Sequence, residues 1–436
     1  MLTEPQILAL GKSVLAVVKS LEPKAEATVA IGAMHRAHTR FARNEITTAG
    51  ENDELNVSLS VQLGLRSASA SSNQTDAGSL RGLVERTLAI ARLSPELPET
   101  MPVRGPTRVA KSALRDDALA RLDAKGRAEG ITQALAPSRQ RDLLTAGFLQ
   151  VFDGVTALVT SAGLSLAQPF TDADFSVTAR TRDGTGSGWS NLSTRQRALL
   201  DFASVGRIAA EKAIASAKPR SLDPGRYTVV LEPAAVGELF EYFIGSLDRR
   251  AVDEGRSAFA GKLGQKLVSG LITLTSDPKT TPMLPWDGEG IALAPRTWVK
   301  AGVLESLTVS RYWARQKKLE PTGSYSGFEL APGQSSREQL LAGIKRGVLV
   351  TRFWYSNVVD PKTLAITALT RDGTFLIEDG VVTTPIKNFR INQSVIDALA
   401  KVDAVSIDRE SPGSSAWKIP AMRTHEFLLA SQSDAV

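Results

Sequence analysis

Cysteine is absent from this chain of 436 residues. Its absence excludes disulfide bonds, thiolate nucleophiles and thiolate metal ligands, and it is consistent with a reducing compartment. Histidine is also scarce, since the sequence contains three residues of this type, His35, His38 and His425. A metal site or a catalytic base built on imidazole therefore has very few possible positions.

Long apolar segments are missing as well. No stretch approaches the roughly 18 consecutive apolar residues that a membrane-spanning helix needs. Residues 1–5 carry no basic segment followed by an apolar run, so we expect no signal peptide. These two observations favour a cytoplasmic protein that has no membrane partner.

The chain also lacks a strong excess of one charge sign. It has 52 Lys and Arg against 46 Asp and Glu, a net charge of +6, and its densest basic patch, residues 315–318, is short. Nucleic-acid-binding proteins concentrate basic residues on one face or in one run, so we expect no nucleic-acid partner. The small positive charge slightly favours acidic partners.

The length predicts two or three domains, and two connectors indicate where these domains meet. Residues 95–106 are rich in proline, and a second connector covers residues 218–225. We predict an N-terminal α+β subdomain at residues 1–98, a central α+β subdomain at residues 107–220 and a β-rich domain at residues 225–436. The predicted fold class is therefore α+β.

The first half of the chain repeats one order of elements, a helix followed by strands. Helical spacing of apolar residues predicts a helix at residues 4–20, and strict alternation predicts a strand at residues 57–63. After a helix in the second segment, we predict strands at residues 142–152, 154–163 and 172–182.

Further elements follow from capping and turn signals. We predict a long helix at residues 193–217. The Asp-Gly pairs at residues 372–373 and 379–380 predict two hairpin turns around a short strand, residues 374–378. We predict that the tail, residues 431–436, is disordered.

A predicted helix at residues 233–247 carries a broad apolar stripe. Its members recur at helical spacing, as in a face that packs into a core or an interface; they are Val236, Leu239, Phe240, Phe243, Ile244 and Leu247. Glu241 lies beside this stripe. It is either a solvated helix residue or the remnant of a general base, and a lone carboxylate activates water poorly without a metal.

Other polar motifs point only weakly to chemistry. His35 and His38 are three residues apart in a predicted strand, so their side chains point to opposite faces. His425 stands beside Glu426, but no third metal ligand follows at a suitable spacing. The Gly-rich residues 183–188 lack the Lys-Ser/Thr pair of a phosphate-binding P-loop.

Two more segments allow ordinary interpretations. Residues 287–290, Asp-Gly-Glu-Gly, fit a tight turn better than a calcium loop, because the EF-hand pattern is absent. The aromatic residues 353–355 and 312–313 are compatible with an interface and equally with a core.

Several motifs, in one order along the chain, resemble those of the TldD/PmbA family, the "modulator of DNA gyrase" family. TRFARNEI at residues 39–46 resembles a strand of the family. VDEGRS at residues 252–257, followed by GKLGQK at residues 261–266, resembles its GKxGEK stretch, and residues 287–290 resemble another signature. The segment that reads ITALTRDGTFLIEDG and then PIKNFR, which ends at Arg390, resembles a further block. The resemblance implies a barrel-like closure of the C-terminal domain.

Catalytic members of that family carry H-E-x-x-x-H on the helix that corresponds to residues 233–247. Two imidazoles on neighbouring turns can bind zinc, and the glutamate takes a proton from the zinc-bound water. The resemblance matches these positions to Phe240, Glu241 and Gly245, so the two metal positions are degenerate and Glu241 alone persists. A third family ligand is a cysteine, which this chain lacks.

The resemblance therefore implies the TldE (PmbA) branch, the subunit without zinc, and it implies no cofactor. It implies a heterodimer with a TldD-like catalytic subunit and a peptide or partly unfolded protein as substrate, so this chain is not expected to be an enzyme alone. Two alternatives remain open: an independent hydrolase with a different site, built around His425 or Glu241, and a homodimeric peptide-binding scaffold.

Overall fold

The repeat of a helix followed by strands is present in the first half of the computed structural model, which describes residues 2–433. Its first copy consists of α1 Glu4–Leu21, β1 Glu26–Ala42, β2 Glu45–Leu63, β3 Arg66–Ser72 and α2 Ala77–Leu93. Its second copy consists of α3 Asp117–Ala120, α4 Ala124–Gln140, β4 Leu144–Thr160, β5 Ser165–Arg180, β6 Ser187–Thr194, a 3-10 turn at Arg197–Leu199 and α5 Phe202–Ala215.

The two copies build one continuous sheet. Its strand order is β3-β2-β1-β4-β5-β6, with β1 and β4 antiparallel in the middle. Helices α1 and α2 pack on one apolar core and α4 and α5 on a second, and the long strands β1 and β4 contribute side chains to both cores. The predicted subdomains at residues 1–98 and 107–220 are thus the two halves of a shared sheet.

Two predicted boundaries in the second copy are wrong. The break predicted at residue 153 lies inside the continuous strand β4, where Gly154 pairs with Met34 on one side and Phe170 on the other. The helix predicted at residues 193–217 begins only at Phe202, because residues 187–194 pair with β5. Asp201 caps this helix by accepting a hydrogen bond from the Ser204 backbone N–H at 2.9 Å.

The second half of the chain is rich in β-structure and begins with β7 and α6. Its elements are β7 Gly225–Leu231, α6 Pro233–Gly245, α7 Arg249–Asp253, β8 Leu274–Ser276, β9 Arg296–Lys300, β10 Val303–Leu304, α8 Arg311–Lys317, β11 Phe328–Leu330, α9 Arg337–Leu341, β12 Arg346–Asp360, β13 Ala365–Glu378, β14 Val381–Pro385, β15 Asn388–Ser394, α10 Val395–Ala400, β16 Val402–Glu410 and β17 Trp417–Ser433.

Five strands of this half close into a ring, β7-β12-β13-β15-β17, in which β17 pairs again with β7. The α+β class and the expected barrel-like closure are therefore confirmed. Strands β8 to β11 extend the sheet from β17, and β14 and β16 pair with β13 and β17. Helix α6 packs against β12 and β17, and its apolar face belongs to the largest apolar cluster.

One of the two predicted hairpin turns is wrong. Residues 379–380 turn the chain from β13 into β14, as predicted. Asp372 and Gly373 instead form an irregularity inside β13, with φ angles of 56° and 126°. The carboxylate of Asp372 is buried and held by Arg352 and Ser187, so a buried ionic contact takes the place of a solvated turn.

The connector at residues 95–106 lies on the C-terminal half. Arg311 donates a hydrogen bond to the Pro102 carbonyl oxygen at 2.6 Å, and Arg250 donates one to the Glu99 carboxylate at 2.9 Å. At the other end of the chain, residues 431–433 continue β17, contrary to the predicted disorder. Residues 434–436 of that predicted tail lie outside the described residues.

Candidate functional site

Helix α6 has one face turned to the core. Pro233 starts the helix, at a position that needs no backbone N–H donor. Leu239, Phe240 and Phe243 are fully buried. The ring of Phe243 lies 5.7 Å from that of Phe240 and 4.9 Å from that of Phe259 in an edge-on contact. The predicted packing role of the apolar stripe is confirmed.

The opposite face of α6 lines a cleft. Ala234, Gly237, Glu238 and Glu241 recur three and four residues apart, so they lie on one side of the helix. The cleft has a volume of about 700 Å³, and its other walls come from β6, β12, residues 412–414 and the start of β17. We call this cavity the α6 cleft.

The three residues predicted for the site do not come together. Phe240 is buried on the core face, Glu241 is exposed and lines the α6 cleft, and Gly245 is exposed at the end of the helix. The match of Phe240 and Gly245 to the family's ligand positions stays a prediction. In this chain their side-chain positions do not line the cleft beside Glu241.

Glu238 is the functional candidate that sequence reasoning missed. Its carboxylate accepts a hydrogen bond from the Ser356 hydroxyl. Burial in the cleft wall raises the pKa of Glu238, and the charge of Glu241 raises it further, while Ser356 and Arg352 oppose this. Its spacing of three residues from Glu241 could have revealed it, because such residues share a helix face.

Arg352 faces Glu238 across the cleft but is bound elsewhere. Its guanidinium donates two hydrogen bonds to the Asp372 carboxylate, one of them at 2.8 Å. The same guanidinium lies 4.4 Å from the ring centre of Trp189 and 5.0 Å from that of Trp354. Asp372 also accepts a hydrogen bond from Ser187 at 2.5 Å, so this contact joins the N-terminal sheet to the C-terminal half.

An irregularity in β12 shapes the wall opposite α6. The pairing with β13 shifts between Trp354 and Asn357, and Tyr355 adopts a φ of 52°. Such a bulge redirects side chains and is costly for a non-glycine residue. Here Phe353 stays in the core while Trp354 and Tyr355 are exposed at the cleft. The predicted aromatic cluster therefore divides between the core and the cleft.

The histidines lie outside the α6 cleft. His35 and His38 belong to β1 of the N-terminal sheet, and His35 contacts Asp53 at 2.8 Å. His425 on β17 contacts Asp403 through Nε2 at 2.8 Å, and its Nδ1 lies 3.0 Å from the Thr228 hydroxyl.

The hydroxyl of Thr228, the imidazole of His425 and the carboxylate of Asp403 follow one another as a nucleophile, its base and the acid that orients the base do in some hydrolases. These residues line neither the α6 cleft nor the larger cavity of about 1220 Å³ beside it. Asp403 is also held at both oxygens by Arg423, at 2.7 and 2.9 Å. These contacts therefore connect β7, β16 and β17 at a place outside both cavities.

The donor set of the α6 cleft does not fit a zinc site of the kind expected in catalytic members of the family that the sequence resembles. Zinc in proteins is held mainly by imidazole nitrogen and thiolate sulfur, whereas the titratable acids lining this cleft are the two carboxylates of Glu238 and Glu241. Within residues 2–433, no three His, Asp or Glu side chains converge closely enough to hold a metal ion. No helix in the same range is long and apolar enough to cross a membrane.

Comparison with known proteins defines the class. Residues 119–217 match the model of the PmbA/TldA metallopeptidase central domain, and residues 224–431 match that of the PmbA/TldA metallopeptidase C-terminal domain. Together the two matches cover more than half of the chain. The chain therefore belongs to the TldD/PmbA metallopeptidase family.

Individual relatives agree with this assignment. A metalloprotease of Methanothermobacter thermautotrophicus is 29% identical over 223 residues, 48% of this chain and 49% of the relative. Metalloprotease PmbA of Escherichia coli is 25% identical over 226 residues, 49% of each chain. The aligned part of this chain thus spans about half the length of both relatives.

A solved structure shows that the whole fold is shared. The crystal structure of TldE from Thermococcus kodakarensis aligns with a TM-score of 0.87, covering 97% of this chain and all of that chain, at 19% sequence identity. At this identity the likeness concerns the fold, including the sheet of the first half and the barrel of the second.

Proposed function

We propose that this chain is the zinc-less, TldE-like subunit of a heterodimeric cytoplasmic peptidase that acts on peptides or unfolded proteins. The observation that carries the proposal is the donor set of the α6 cleft, two carboxylates without an imidazole or a thiolate. The likeness to a chain named TldE supports it, as do relatives named metalloproteases. In this proposal the zinc ion and the activated water belong to the partner.

The role of this chain would be to bind and enclose part of the substrate. The α6 cleft, the larger cavity and a third cavity of about 220 Å³ all have Asn191 in their walls, so they adjoin one another. A series of adjoining cavities lined by aromatic and polar side chains suits an extended peptide. Asn191 belongs to β6. The three cavities therefore lie where the N-terminal sheet meets the C-terminal half.

The experiment is reconstitution with a TldD-like chain from the same source. Size-exclusion chromatography with light scattering should show a one-to-one complex, and peptide cleavage should require both chains. A stable homodimer that does not exchange with the TldD-like chain would instead favour the scaffold alternative and contradict the proposal.

The independent-hydrolase alternative has its own discriminating variants. Glu241→Gln and His425→Ala remove the two residues on which such a site would depend. Under the proposal, neither substitution abolishes cleavage by the two-chain complex. Cleavage by the isolated chain that is lost in His425→Ala would contradict the proposal and favour a hydrolase.

A further inference from the structure

The charged groups of the α6 cleft that are not already in an ion pair are both negative. Glu238 and Glu241 both line it, and Arg352 is the basic residue in its wall. Asp372 already pairs with Arg352 through two hydrogen bonds. Glu238 accepts a hydrogen bond from a neutral hydroxyl, and within residues 2–433 Glu241 makes no hydrogen bond or ion pair.

Aromatic rings form the remainder of the same walls. Phe353 borders the cleft from the core side. The other aromatic residues that line the cleft are Trp189, Trp354, Tyr355 and Trp417. The face of an aromatic ring attracts a cation through its quadrupole. Arg352 lies between Trp189 and Trp354, and Arg371 lies 5.2 Å from the ring centre of Trp354, so these rings already hold guanidinium groups of the chain itself. Tyr355 is 72% exposed, so its ring is available to a ligand.

Space for a ligand exists next to the carboxylates. Between Glu238 and the first turn of α6, the helix presents the small residues Ala234 and Gly237 to the cleft. A Cβ atom at Gly237 would lie 3.5 Å from Pro412 and 3.9 Å from Trp417, in ordinary van der Waals contact, so these two side chains border the cleft above this turn of the helix. The cleft volume of about 700 Å³ leaves room beside the two carboxylates for an alkyl chain with a charged end.

We infer that the α6 cleft binds a cationic group of a peptide, an alkylammonium or a guanidinium, between the carboxylates of Glu238 and Glu241 and the exposed ring of Tyr355. The inference rests on the proposed function in taking the ligand to be a peptide. It adds the chemical class of the residue that this subunit recognises. A single cation here offsets one of the two negative charges, relieves the repulsion between the neighbouring carboxylates, and replaces the water lost from both partners with charged hydrogen bonds.

The experiment measures peptide binding to the full-length isolated chain. Four blocked tripeptide amides are compared, acetyl-Gly-X-Gly-amide with X as lysine, norleucine, arginine or citrulline. A fifth, unblocked Gly-Gly-Gly-amide, offers only an N-terminal ammonium. Calorimetry gives the affinities, and tryptophan fluorescence locates binding, since three tryptophans line the cleft. The lysine and arginine peptides should bind about tenfold more tightly than their neutral counterparts.

Substitutions assign the preference to the cleft. Glu238→Gln and Glu241→Gln should each reduce the ratio between lysine and norleucine affinities, and the double variant should abolish it. Tyr355→Leu should reduce the ratio without removing a charge. The matched control is Glu211→Gln on the outer face of α5, where Glu211 pairs with Arg207 in solvent; it should leave the ratio unchanged.

Each outcome has a defined meaning. A preference for cations that is lost in the double variant supports the inference, and tight binding of the unblocked peptide alone identifies the N-terminal ammonium as the source of the cation. Equal affinities for all five peptides overturn it, as does an equal loss in Glu211→Gln. Such a result leaves the proposed function standing if the complex with a TldD-like chain still forms and cleaves.

Discussion

The two faces of helix α6 differ in burial and in polarity. The core face is apolar, and its residues Phe240 and Phe243 are fully buried, with Phe240 packed on Phe243 and Phe243 packed on Phe259. The cleft face carries Glu238 and Glu241 beside two small residues and looks onto exposed aromatic rings. The same 13 residues therefore hold the barrel together on one side and present a polar surface on the other.

The difference teaches that separate residues of α6 carry its packing and the chemistry of the cleft. Packing on the core face keeps α6 in place against β12 and β17, whatever chemistry the cleft face carries. In this chain that chemistry is two carboxylates, and the wall opposite is held by the contact between Arg352 and Asp372. Substitutions on the two faces should accordingly have very different consequences for stability and for binding.

The largest expected effect is on the core face. Phe240→Ala should lower the free energy of unfolding by about 3–5 kcal/mol, because it removes a fully buried ring and leaves a cavity. Urea denaturation followed by circular dichroism measures this. Tyr355→Ala, which truncates an exposed aromatic residue of the cleft, is the control and should cost far less. Similar losses in both variants would show that the core side of α6 and the cleft do not differ in packing as described.

The second effect concerns the opposite wall of the cleft. Asp372→Asn should lower the free energy of unfolding by about 3 kcal/mol, since it leaves Arg352 without its buried counter-charge. Asparagine also tolerates the positive φ of this position. The control is Asp403→Asn, whose partner Arg423 is similarly bound but whose carboxylate is 40% exposed. That change should cost about 1 kcal/mol or less, and a larger loss there would contradict the account.

The third effect is a dependence on pH. The pKa of Glu238 is raised in the folded chain above its ordinary value of 4.5, so the folded state holds this proton more tightly than the unfolded chain does. Its contribution to stability is therefore lost as the pH rises from 4.5 through the folded pKa. Glu238→Gln should be more stable than the unsubstituted chain at pH 7, with the difference shrinking at pH 4. A difference that grows towards pH 4 would refute this.

The smallest effect is expected at the exposed carboxylate. Glu241→Gln should change the free energy of unfolding by no more than about 0.5 kcal/mol, because the side chain is exposed and away from the core. Thermal unfolding at neutral pH measures it. A loss of several degrees in the midpoint would indicate a structural role for Glu241 that its contacts do not show.

Local patterns predicted most of the elements correctly, because one buried face leaves a clear period in the sequence. The apolar stripe of α6 was such a case, and so was the strand at residues 57–63, where alternate side chains are buried. Turn signals were less dependable. Asp372 precedes a glycine, which is typical of a hairpin, but its carboxylate meets Ser187 and Arg352 from distant parts of the chain. No local sequence pattern predicts a contact between such distant residues.

The candidate site was only partly predictable for the same reason. Glu241 could be named because it lies beside a recognisable stripe. The cleft itself could not be predicted, because it forms only where the fold brings β12 and residues 412–414 opposite α6. The bulge that exposes Trp354 and Tyr355 depends on the shifted pairing of β12 with β13. Pairing between strands is a long-range property, so the division of the aromatic cluster could not be derived from its spacing.

The most direct test of the proposed function is the zinc content of the purified proteins. Elemental analysis should find no stoichiometric zinc in this chain alone and one zinc per complex with a TldD-like chain, with peptide cleavage confined to the complex. One zinc per isolated chain, retained after dialysis against a weak chelator and accompanied by cleavage, would contradict the account.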